Sequence, residues 1–206
     1  MDVGAGRGAW LSIWKKHGVS VLGIDGSYVN TEALLVHDDE FEARDLATGF
    51  SLARRFDLAT SFEVAEHLPP SASERFVRNL LDSSDLVAFS AAVVGQGGEH
   101  HVNERPLQFW RELFQAHGYV CYDCIRPPVS GNQTVVPWYR NNVLLYANKD
   151  GAARLSPQAK EGRVSSSTIH DGGDIGWRLR KAIVRLLPRP AVTFIAQVNS
   201  SRRRST

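Results

Sequence analysis

The residues at the start of the chain carry the pattern with the clearest chemistry. An acidic residue, Asp2, precedes glycines at alternate positions, Gly4, Gly6 and Gly8. Glycines at this spacing allow a tight turn from a strand into a helix, so that a ligand can approach backbone N–H groups and the helix N-terminus. The sequence therefore predicts a nucleotide-binding loop, with a glycine-rich surface turn as the structural alternative.

The chemistry of the nucleotide depends on two carboxylates. Read with Ala9 as its last position, the loop also satisfies the dinucleotide fingerprint, which indicates NAD or FAD. Asp2 favours a different ligand, because a carboxylate here would repel a pyrophosphate but attract the ammonium group of S-adenosylmethionine. Asp25 follows a short β-rich run over 19–24 and suits a carboxylate that binds both hydroxyls of a ribose in either cofactor. A solvated turn residue is the alternative for Asp25.

The elements after the loop come in the order that a nucleotide-binding α/β fold requires. Apolar residues at helical spacing predict a helix after the loop, ending at Gly18. Further helices are predicted after a capping box over 71–74 and after Pro106. The predicted strands cover 19–24, 56–64, 85–94, 119–126 and 142–148. The connection over 127–141 is rich in Pro, Gly, Asn and aromatic residues, which favours a lid or an acceptor-binding loop.

In this order and spacing, the segments resemble the class I S-adenosylmethionine-dependent methyltransferases, and particularly the small-domain group labelled methyltransferase type 11 or type 23. The segments that carry the resemblance are DVGAGRG at 2–8, GID at 23–25, ARDL at 43–46, FDLATSFEVAEHLP at 56–69, GQGGEHHVNE at 95–104 and PLQFWRELFQAHGY at 106–119. The resemblance implies an α/β fold: a Rossmann-like three-layer sandwich with a mostly parallel sheet, a shortened first strand and an antiparallel last strand.

The resemblance also implies S-adenosylmethionine as the cofactor and indicates its contacts. Its methionine moiety is expected beside Asp2 and the glycines, its ribose on Asp25 and its adenine amino group near Asp45. Phe62 and Glu63 are expected to border the reaction centre. The cofactor-binding residues that follow are Asp2, Gly4, Gly6, Gly8, Asp25, Gly26, Asp45, Leu46 and Phe62.

The chain departs from the family pattern at its start. Only residues 1–3 precede the glycine loop, where the family has a helix and a full first strand. We therefore expect an N-terminally truncated domain whose central strand is a stub. Neighbouring strands would then carry unpaired backbone groups, each costing on the order of 1–3 kcal/mol when buried. This departure keeps open a non-catalytic, methyltransferase-like remnant that serves as a binding module.

Methyl transfer requires chiefly that the protein align an acceptor, because the sulfonium is already an activated electrophile. For a hydroxyl on a small-molecule or glycan acceptor, a neutral imidazole can remove the proton. The catalytic residues predicted are His101 as the first candidate base, His67 as the second, and Glu63 or Asn103 to orient the acceptor. A loop residue bonded to nearby backbone is the alternative for each histidine. No metal site is predicted, because His67, His100 and His101 lack a carboxylate at a clear ligand spacing.

An NAD(P)-dependent oxidoreductase is the alternative enzyme. Short-chain reductases commonly carry a Tyr-x-x-x-Lys pair at the hydride site, and none of the five tyrosines has a lysine four residues later. This weighs against the short-chain version of the alternative.

The composition indicates which cellular compartment and which classes of binding partner to expect. The chain has 206 residues and a net charge of +2, which does not indicate a nucleic-acid-binding protein. No signal peptide is evident, and no apolar run approaches the roughly 20 residues of a membrane span, so a cytoplasmic protein is expected. The two cysteines, Cys121 and Cys124, fall in a predicted strand whose alternation points them to opposite faces, which disfavours a redox or zinc pair.

Three segments are predicted along the chain. Residues 1–149 form the S-adenosylmethionine-binding domain, 150–175 a flexible linker, and 176–206 a basic amphipathic helix and tail. The face over 176–187 suits a peripheral membrane or protein contact, and packing on the parent domain is the alternative. The terminal arginines over 202–204 are predicted to be a solvated end.

Overall fold

A computed structural model describes residues 1–204, apart from the side chains of 189 and 199–204; the prediction for the arginines over 202–204 therefore lies outside the described side chains. Seven strands form one sheet in the order β3-β2-β1-β4-β5-β7-β6. The strands are β1 (Asp2–Val3), β2 (Gly23–Asp25), β3 (Phe41–Ala43), β4 (Ala59–Phe62), β5 (Leu86–Ser90), β6 (Val120–Tyr122) and β7 (Leu144–Ala147).

Helices surround this sheet. In chain order they are α1 (Ala9–Lys16), α2 (Ser73–Ser83), α3 (Leu107–Ala116), α4 (Arg126–Val129), α5 (Pro137–Asn142), α6 (Lys149–Arg154), α7 (Pro157–Glu161), α8 (Ile175–Val184) and α9 (Arg189–Arg204). In the described part of the chain, none of them has the length and apolar character needed to cross a membrane.

The strand directions confirm the predicted α/β fold. Strands β3, β2, β1, β4 and β5 run parallel, whereas β7 is antiparallel to both of its neighbours, β5 and β6. The two-residue strand β1 lies at the centre, where Asp2 pairs with Gly23 on one side and Thr60 on the other. Because parallel strands end at the same edge, the loops after β1, β2, β4 and β5 meet at one side of the sheet.

The core between the sheet and its helices fixes this edge. Val3 and Ile24 at the sheet centre are fully buried, as is Trp110 on α3. The rings of Phe114 and Tyr146 stack at a centroid distance of 3.9 Å and join α3 to β7. Strands covered on both faces consist of nearly continuous apolar residues, which is why β5 and β7 could be predicted from sequence.

The predicted capping box over 71–74 is wrong. A 3₁₀ turn over Pro70–Ala72 precedes α2, and Ala72 at the helix start has no side-chain cap. Pro70 fixes the backbone for a turn one residue earlier than a Ser cap requires. Glu74 instead forms an exposed ion pair with Arg78 at 3.0 Å.

The segment over 150–175 contains short helices where a flexible linker was predicted. Asn148 caps α6 by accepting from the Gly151 N–H at 2.9 Å, and Ser156 caps α7. Arg163 forms a bridge with Tyr122 of β6. Local caps and a strand contact therefore hold a segment whose composition alone indicated a linker.

The C-terminal part forms two helices separated by Pro188, rather than one helix and a tail. On α8, Trp177 and Lys181 are buried against the domain, while Leu179 stays exposed. Arg185 donates from its guanidinium to the Val94 carbonyl at 3.0 and 3.2 Å. The basic face over 176–187 thus contacts the domain in part and leaves part of its apolar face to solvent.

Both cysteines are free thiols. Cys121 lies buried in β6, and burial raises its pKa to about 12. Cys124 lies beyond the end of that strand. A buried thiol with such a pKa stays protonated near neutral pH and is a weak nucleophile.

Candidate active site

The glycine loop joins β1 to α1 in a left-handed backbone conformation. Gly4, Gly6 and Gly8 have φ values of 85°, 53° and 82°. A β-carbon on Gly4 would lie 2.2 Å from a methyl carbon of Val64, so glycine is required there for packing as well as for backbone geometry. Gly8 is the N-cap residue of α1.

Asp25 fastens this loop to the end of β2. One carboxylate oxygen accepts the Gly6 N–H at 2.7 Å, and the other accepts the Gly26 N–H at 2.7 Å. The second oxygen also accepts the Tyr28 hydroxyl at 2.5 Å. Asp25 is buried, whereas the Tyr28 ring is 82% exposed. The two backbone N–H groups therefore hold the carboxylate in place, and the exposed Tyr28 supplies its partner on the solvent side.

A cavity of about 520 Å³, the main cavity, opens beside this carboxylate. Five of the predicted cofactor residues line it, together with two of the predicted catalytic residues, Glu63 and His67. The five are Gly4, Asp25, Gly26, Asp45 and Leu46. Asp45 is exposed and accepts the Ala47 N–H at 2.9 Å. The structure thus brings residues from the ends of four strands to one cavity.

A second cavity of about 300 Å³, the aromatic cavity, meets the main cavity at Gly4. Asp2, Gly6 and Phe62 line it, together with Trp10 and Tyr139. The three aromatic rings contact one another at centroid distances of 5.6, 5.7 and 6.2 Å. Helix α5 of the predicted lid segment carries Tyr139, which explains how this distant residue reaches the glycine loop.

Asp2 is buried at the base of the aromatic cavity. Its carboxylate accepts the Thr60 hydroxyl at 2.6 Å. Burial raises the pKa of Asp2 to about 6, although the hydrogen bond from Thr60 opposes that rise; the nearby Asp25 carboxylate also contributes to it. Because burial destabilises the ionised form of this carboxylate, a cationic partner beside it would be favourable.

Glu63 lies at the end of β4 with a φ of 57°, which is uncommon for a residue with a side chain. Its carboxylate accepts from the Gln96 amide at 2.5 Å and lies 3.4 Å from the Asn142 amide nitrogen. Asn142 in turn donates to Gln96 at 2.8 Å. Burial raises the pKa of Glu63. Strained backbone of this kind concentrates at functional sites, where surrounding contacts hold it in place.

The two predicted bases lie side by side but face different spaces. The rings of His67 and His101 meet edge to face at a centroid distance of 4.9 Å. His67 lines the main cavity, and burial lowers its pKa, which favours the neutral imidazole. His101 lines another cavity, of about 260 Å³, the rear cavity, which α8 and α9 close. The pair therefore connects the main cavity to the rear cavity.

Glu104 orients His101. Its carboxylate lies 3.0 Å from Nδ1 of His101 and accepts the N–H groups of Gly95 and Gly97 at 2.8 and 2.7 Å. His100, the next residue along the chain, is exposed. Consecutive histidines thus have different environments, which the sequence could not distinguish.

Glu66 is the most unusual side chain at this edge. It is fully buried, and among the described residues neither carboxylate oxygen has a hydrogen-bond partner in ordinary geometry, although the backbone N–H groups of Glu66 and Ala92 lie nearby. Burial, reinforced by the like charge of Glu63, raises the pKa of Glu66 well above its ordinary value. A ligand atom of Glu66 lies within 4.8 Å of those of His67 and His101. The carboxylate that the sequence analysis did not find beside the histidines is therefore present.

Asn103 does not orient an acceptor, contrary to the prediction. Its amide nitrogen donates to the Ser73 hydroxyl at 2.8 Å and to the Ala65 carbonyl at 3.3 Å. Its amide oxygen accepts from Arg105 at 2.9 Å. The side chain is buried among these partners, so it fixes the loop after β5.

Other site residues were missed by sequence reasoning. They are Trp10, Tyr28, Glu66, Gln96, Glu104 and Asn142. Glu66 precedes His67 directly, and this acidic–imidazole pair at a strand end was the available signal. The partners of Glu63 come from two distant segments, so no local pattern indicated them.

The comparisons with known proteins address the family. A family model described as "Methyltransferase domain" matches residues 1–123. No curated protein matches the chain. The solved structures that resemble it include magnesium protoporphyrin IX methyltransferase from Synechocystis PCC 6803, at a TM-score of 0.51 and 19% identity over 71% of this chain and 68% of that one. The methyltransferase domain of bacterial CtHen1-C gives a TM-score of 0.53 at 19% identity, over 71% and 87%.

At these identities the structural likeness concerns the fold, whereas the family model covers more than half of the chain. The match removes the ambiguity left by the glycine spacing, which suited a dinucleotide as well as a sulfonium nucleoside. It decides for methyl transfer against an oxidoreductase. The chain belongs to the class I S-adenosylmethionine-dependent methyltransferases, in the type 11/type 23 group.

Proposed function

We propose that this methyltransferase methylates a hydroxyl group of a small-molecule or glycan acceptor. The observation that carries the proposal is the pair of imidazoles, His67 and His101, placed between the main cavity and the rear cavity. An activating group at this position would face the methyl donor on one side and an acceptor on the other.

The two cavities that meet at Gly4 suit the two ends of S-adenosylmethionine. We assign the adenosine to the main cavity, with its ribose on Asp25 and its adenine beside Asp45 and Leu46. The methionine end then passes Gly4 into the aromatic cavity. This placement is supported by charge, since the cofactor's ammonium supplies the cationic partner that the buried Asp2 carboxylate favours.

The sulfonium would then lie near Gly4, where the main cavity and the aromatic cavity meet, with the aromatic rings beside it. Rings of Trp10, Phe62 and Tyr139 surround a small volume, and a cation over the electron-rich face of such a ring is stabilised by about 0.5–2 kcal/mol. The product S-adenosylhomocysteine is neutral at sulfur and loses this attraction. Differential binding of this kind favours exchange of product for fresh donor.

Activation of the acceptor falls to His67 and His101. In the reaction the acceptor oxygen bonds to the methyl carbon, the carbon–sulfur bond breaks, and its electron pair stays on sulfur. The acceptor's proton must leave as its oxygen attacks, and a hydroxyl does not release it unaided near neutral pH. A lowered pKa keeps His67 neutral, as an imidazole must be to accept a proton or to bind a cation.

The rear cavity is the proposed entrance for the acceptor. Val184, Arg185 and Leu187 of the C-terminal segment line it opposite His101. A wall with both apolar and cationic groups suits a polar organic molecule. Because α8 and α9 follow the residues that the family model matches, the acceptor specificity would reside in the part of the chain outside that match.

Calorimetric titration and a transfer assay test this proposal. We expect S-adenosylhomocysteine to bind and NADH not to bind, and we expect transfer of a labelled methyl group to members of a panel of hydroxyl-bearing glycosides and phenols. His101→Ala and His67→Ala should abolish transfer but retain S-adenosylhomocysteine binding. His100→Ala is the matched control and should transfer normally. Methylation of amines alone would contradict the proposal.

A further inference from the structure

We propose that Glu66, His67 and His101 bind a first-row divalent transition-metal cation that activates the acceptor. This inference rests on the proposed hydroxyl methylation for its role, but the binding site itself depends only on these three side chains. It accounts for a buried carboxylate that the protein leaves without a partner.

Glu66 provides the first argument. Its side chain is 0% exposed, and among the described residues no group makes a hydrogen bond of ordinary geometry to its carboxylate; only the backbone N–H groups of Glu66 and Ala92 lie close enough to oppose the rise of its pKa. Leaving a buried polar group unsatisfied costs about 1–3 kcal/mol, and more for a charged group. Other buried carboxylates of this edge, at Asp2 and Asp25, do have donors. A cation is the partner that would satisfy Glu66.

The geometry provides the second argument. One carboxylate oxygen of Glu66 and one ring nitrogen of each of His67 and His101 lie within 4.8 Å of one another. Ligands about 2.0–2.2 Å from a tetrahedral ion are roughly 3.4 Å apart, so a small rotation closes the set. His67 lines the main cavity and is the least enclosed of the three side chains, so a rotation of its ring would close the set.

The environment of His101 provides the third argument. The Glu104 carboxylate beside Nδ1 requires that nitrogen to carry the proton, which leaves Nε2 as a lone-pair donor. Glu104 is itself anchored by the N–H groups of Gly95 and Gly97. A carboxylate that orients a ligand histidine in this way is the usual outer partner of a metal site.

The donor set indicates the kind of cation. Two imidazoles and one carboxylate suit zinc, iron, cobalt or manganese, whereas Mg²⁺ and Ca²⁺ prefer sets made of oxygen. Three protein ligands also leave at least one coordination position open. Since His67 lines the main cavity, the open position would face the proposed methyl donor.

The cation would supply the activation assigned above to the imidazoles. A hydroxyl bound to a divalent ion loses its proton to solvent water near neutral pH. The resulting alkoxide oxygen attacks the methyl carbon, and the carbon–sulfur electron pair passes to sulfur. With the cation bound, His67 and His101 act as ligands and no longer as bases.

Cobalt(II) titration of the full chain, after removal of metals with EDTA, tests the site without relying on activity. We expect one equivalent of Co²⁺ to bind with visible absorption bands of a tetrahedral or five-coordinate site, while Mg²⁺ does not compete. Glu66→Gln and His101→Gln should each weaken Co²⁺ binding by more than 100-fold, and Glu104→Gln by roughly 10–100-fold. His100→Gln is the matched control and should bind Co²⁺ normally.

Several results would overturn the proposal: absence of Co²⁺ binding, preference for Mg²⁺, or equal affinity in the His100→Gln and His101→Gln proteins. S-adenosylhomocysteine binding, measured on the same samples, shows that each variant is folded. It also separates the two hypotheses. Retained nucleoside binding and hydroxyl methylation without any cation would reject the metal site alone, whereas cation binding without hydroxyl methylation would reject the proposed function alone.

Discussion

Two buried carboxylates at the same edge of the sheet have opposite environments. Asp25 accepts three hydrogen bonds, from Gly6, Gly26 and Tyr28, whereas no described residue makes a hydrogen bond of ordinary geometry to Glu66, which has only backbone N–H groups nearby. The cofactor half of the site, around β1 and β2, is therefore complete through its own backbone. The acceptor half, after β4 and β5, holds an uncompensated group that requires a partner from outside.

This difference suggests how one fold serves many acceptors. The cofactor half binds a constant molecule, and its backbone donors come from the glycine loop and the end of β2. The acceptor half is built from Glu63, Glu66 and His101 together with the distant helices α5, α8 and α9. Variation in α8 and α9 would change the acceptor without disturbing the cofactor contacts, whereas α5 also carries Tyr139 of the aromatic cavity.

The largest expected effect tests whether close packing against Val64 requires glycine in the loop after β1. Gly4→Ala should destabilise the protein by about 2–5 kcal/mol, because the new β-carbon overlaps Val64 and the backbone is left-handed. Gly6→Ala meets nothing within 4 Å and should cost only about 1 kcal/mol. Urea unfolding measures both. Equal losses of unfolding free energy in the two variants would show that the left-handed backbone alone, without packing against Val64, requires glycine in this loop.

The second-largest expected effect concerns Asp25, whose carboxylate accepts three hydrogen bonds. Asp25→Asn should weaken S-adenosylhomocysteine binding by about 100-fold, or roughly 2.7 kcal/mol, because an amide cannot accept from both backbone N–H groups and a ribose. Asp45→Asn should give a smaller, few-fold loss, because its exposed carboxylate already accepts the Ala47 N–H and would meet only the adenine edge of the proposed cofactor. Calorimetry distinguishes them, and a larger loss for Asp45→Asn would move the ribose away from Asp25.

Replacement of Glu66, the unsatisfied carboxylate, should stabilise the protein, whereas replacement of Asp25 should weaken binding. In EDTA, Glu66→Met should raise the free energy of unfolding by about 1–3 kcal/mol, because an apolar side chain of similar size removes the desolvated group. Glu74→Met on the exposed face of α2 should change it by less than about 0.5 kcal/mol. Destabilisation by Glu66→Met would mean that this carboxylate already has a partner, and the contrast with Asp25 would fail.

The smallest expected effect is a pH dependence. Burial raises the pKa of Asp2 to about 6, and in the proposed placement the ammonium of the cofactor binds the ionised carboxylate. Affinity for S-adenosylhomocysteine is therefore full above that pKa and falls as pH drops through it, by about tenfold between pH 7 and pH 5. Calorimetry at the two pH values checks this. Asp2→Asn should bind weakly with no such dependence; an unchanged pH dependence would assign the titration to another group.

The sequence was sufficient for the parts of the molecule with local causes. Glycine spacing, the acidic residue after β2 and the apolar runs of the strands depend on neighbours within a few residues. The capping box over 71–74 failed because Pro70 starts its turn first, and Asn103 was misassigned because Ser73, thirty positions away, bonds its side chain.

The acceptor half could not be predicted for the same reason. Adjacent histidines look alike in sequence, yet Glu104 orients only His101 and leaves His100 exposed. The environment of Glu66 depends on loops and strands that meet only in the folded chain. The burial of a side chain without hydrogen-bond partners cannot be predicted from the spacing of residue types in the sequence.

The hydroxyl of Tyr28 on Asp25 has a consequence for turnover. Because each carboxylate oxygen accepts about two hydrogen bonds, the oxygen shared by Gly26 and Tyr28 is already full. An incoming ribose reaches that oxygen only by displacing the phenol, which acts as an internal competitor. At that oxygen the exchange would conserve the number of hydrogen bonds and add little affinity, so the affinity tested by Asp25→Asn would come from the oxygen that accepts from Gly6, while the returning phenol would help to expel the spent nucleoside.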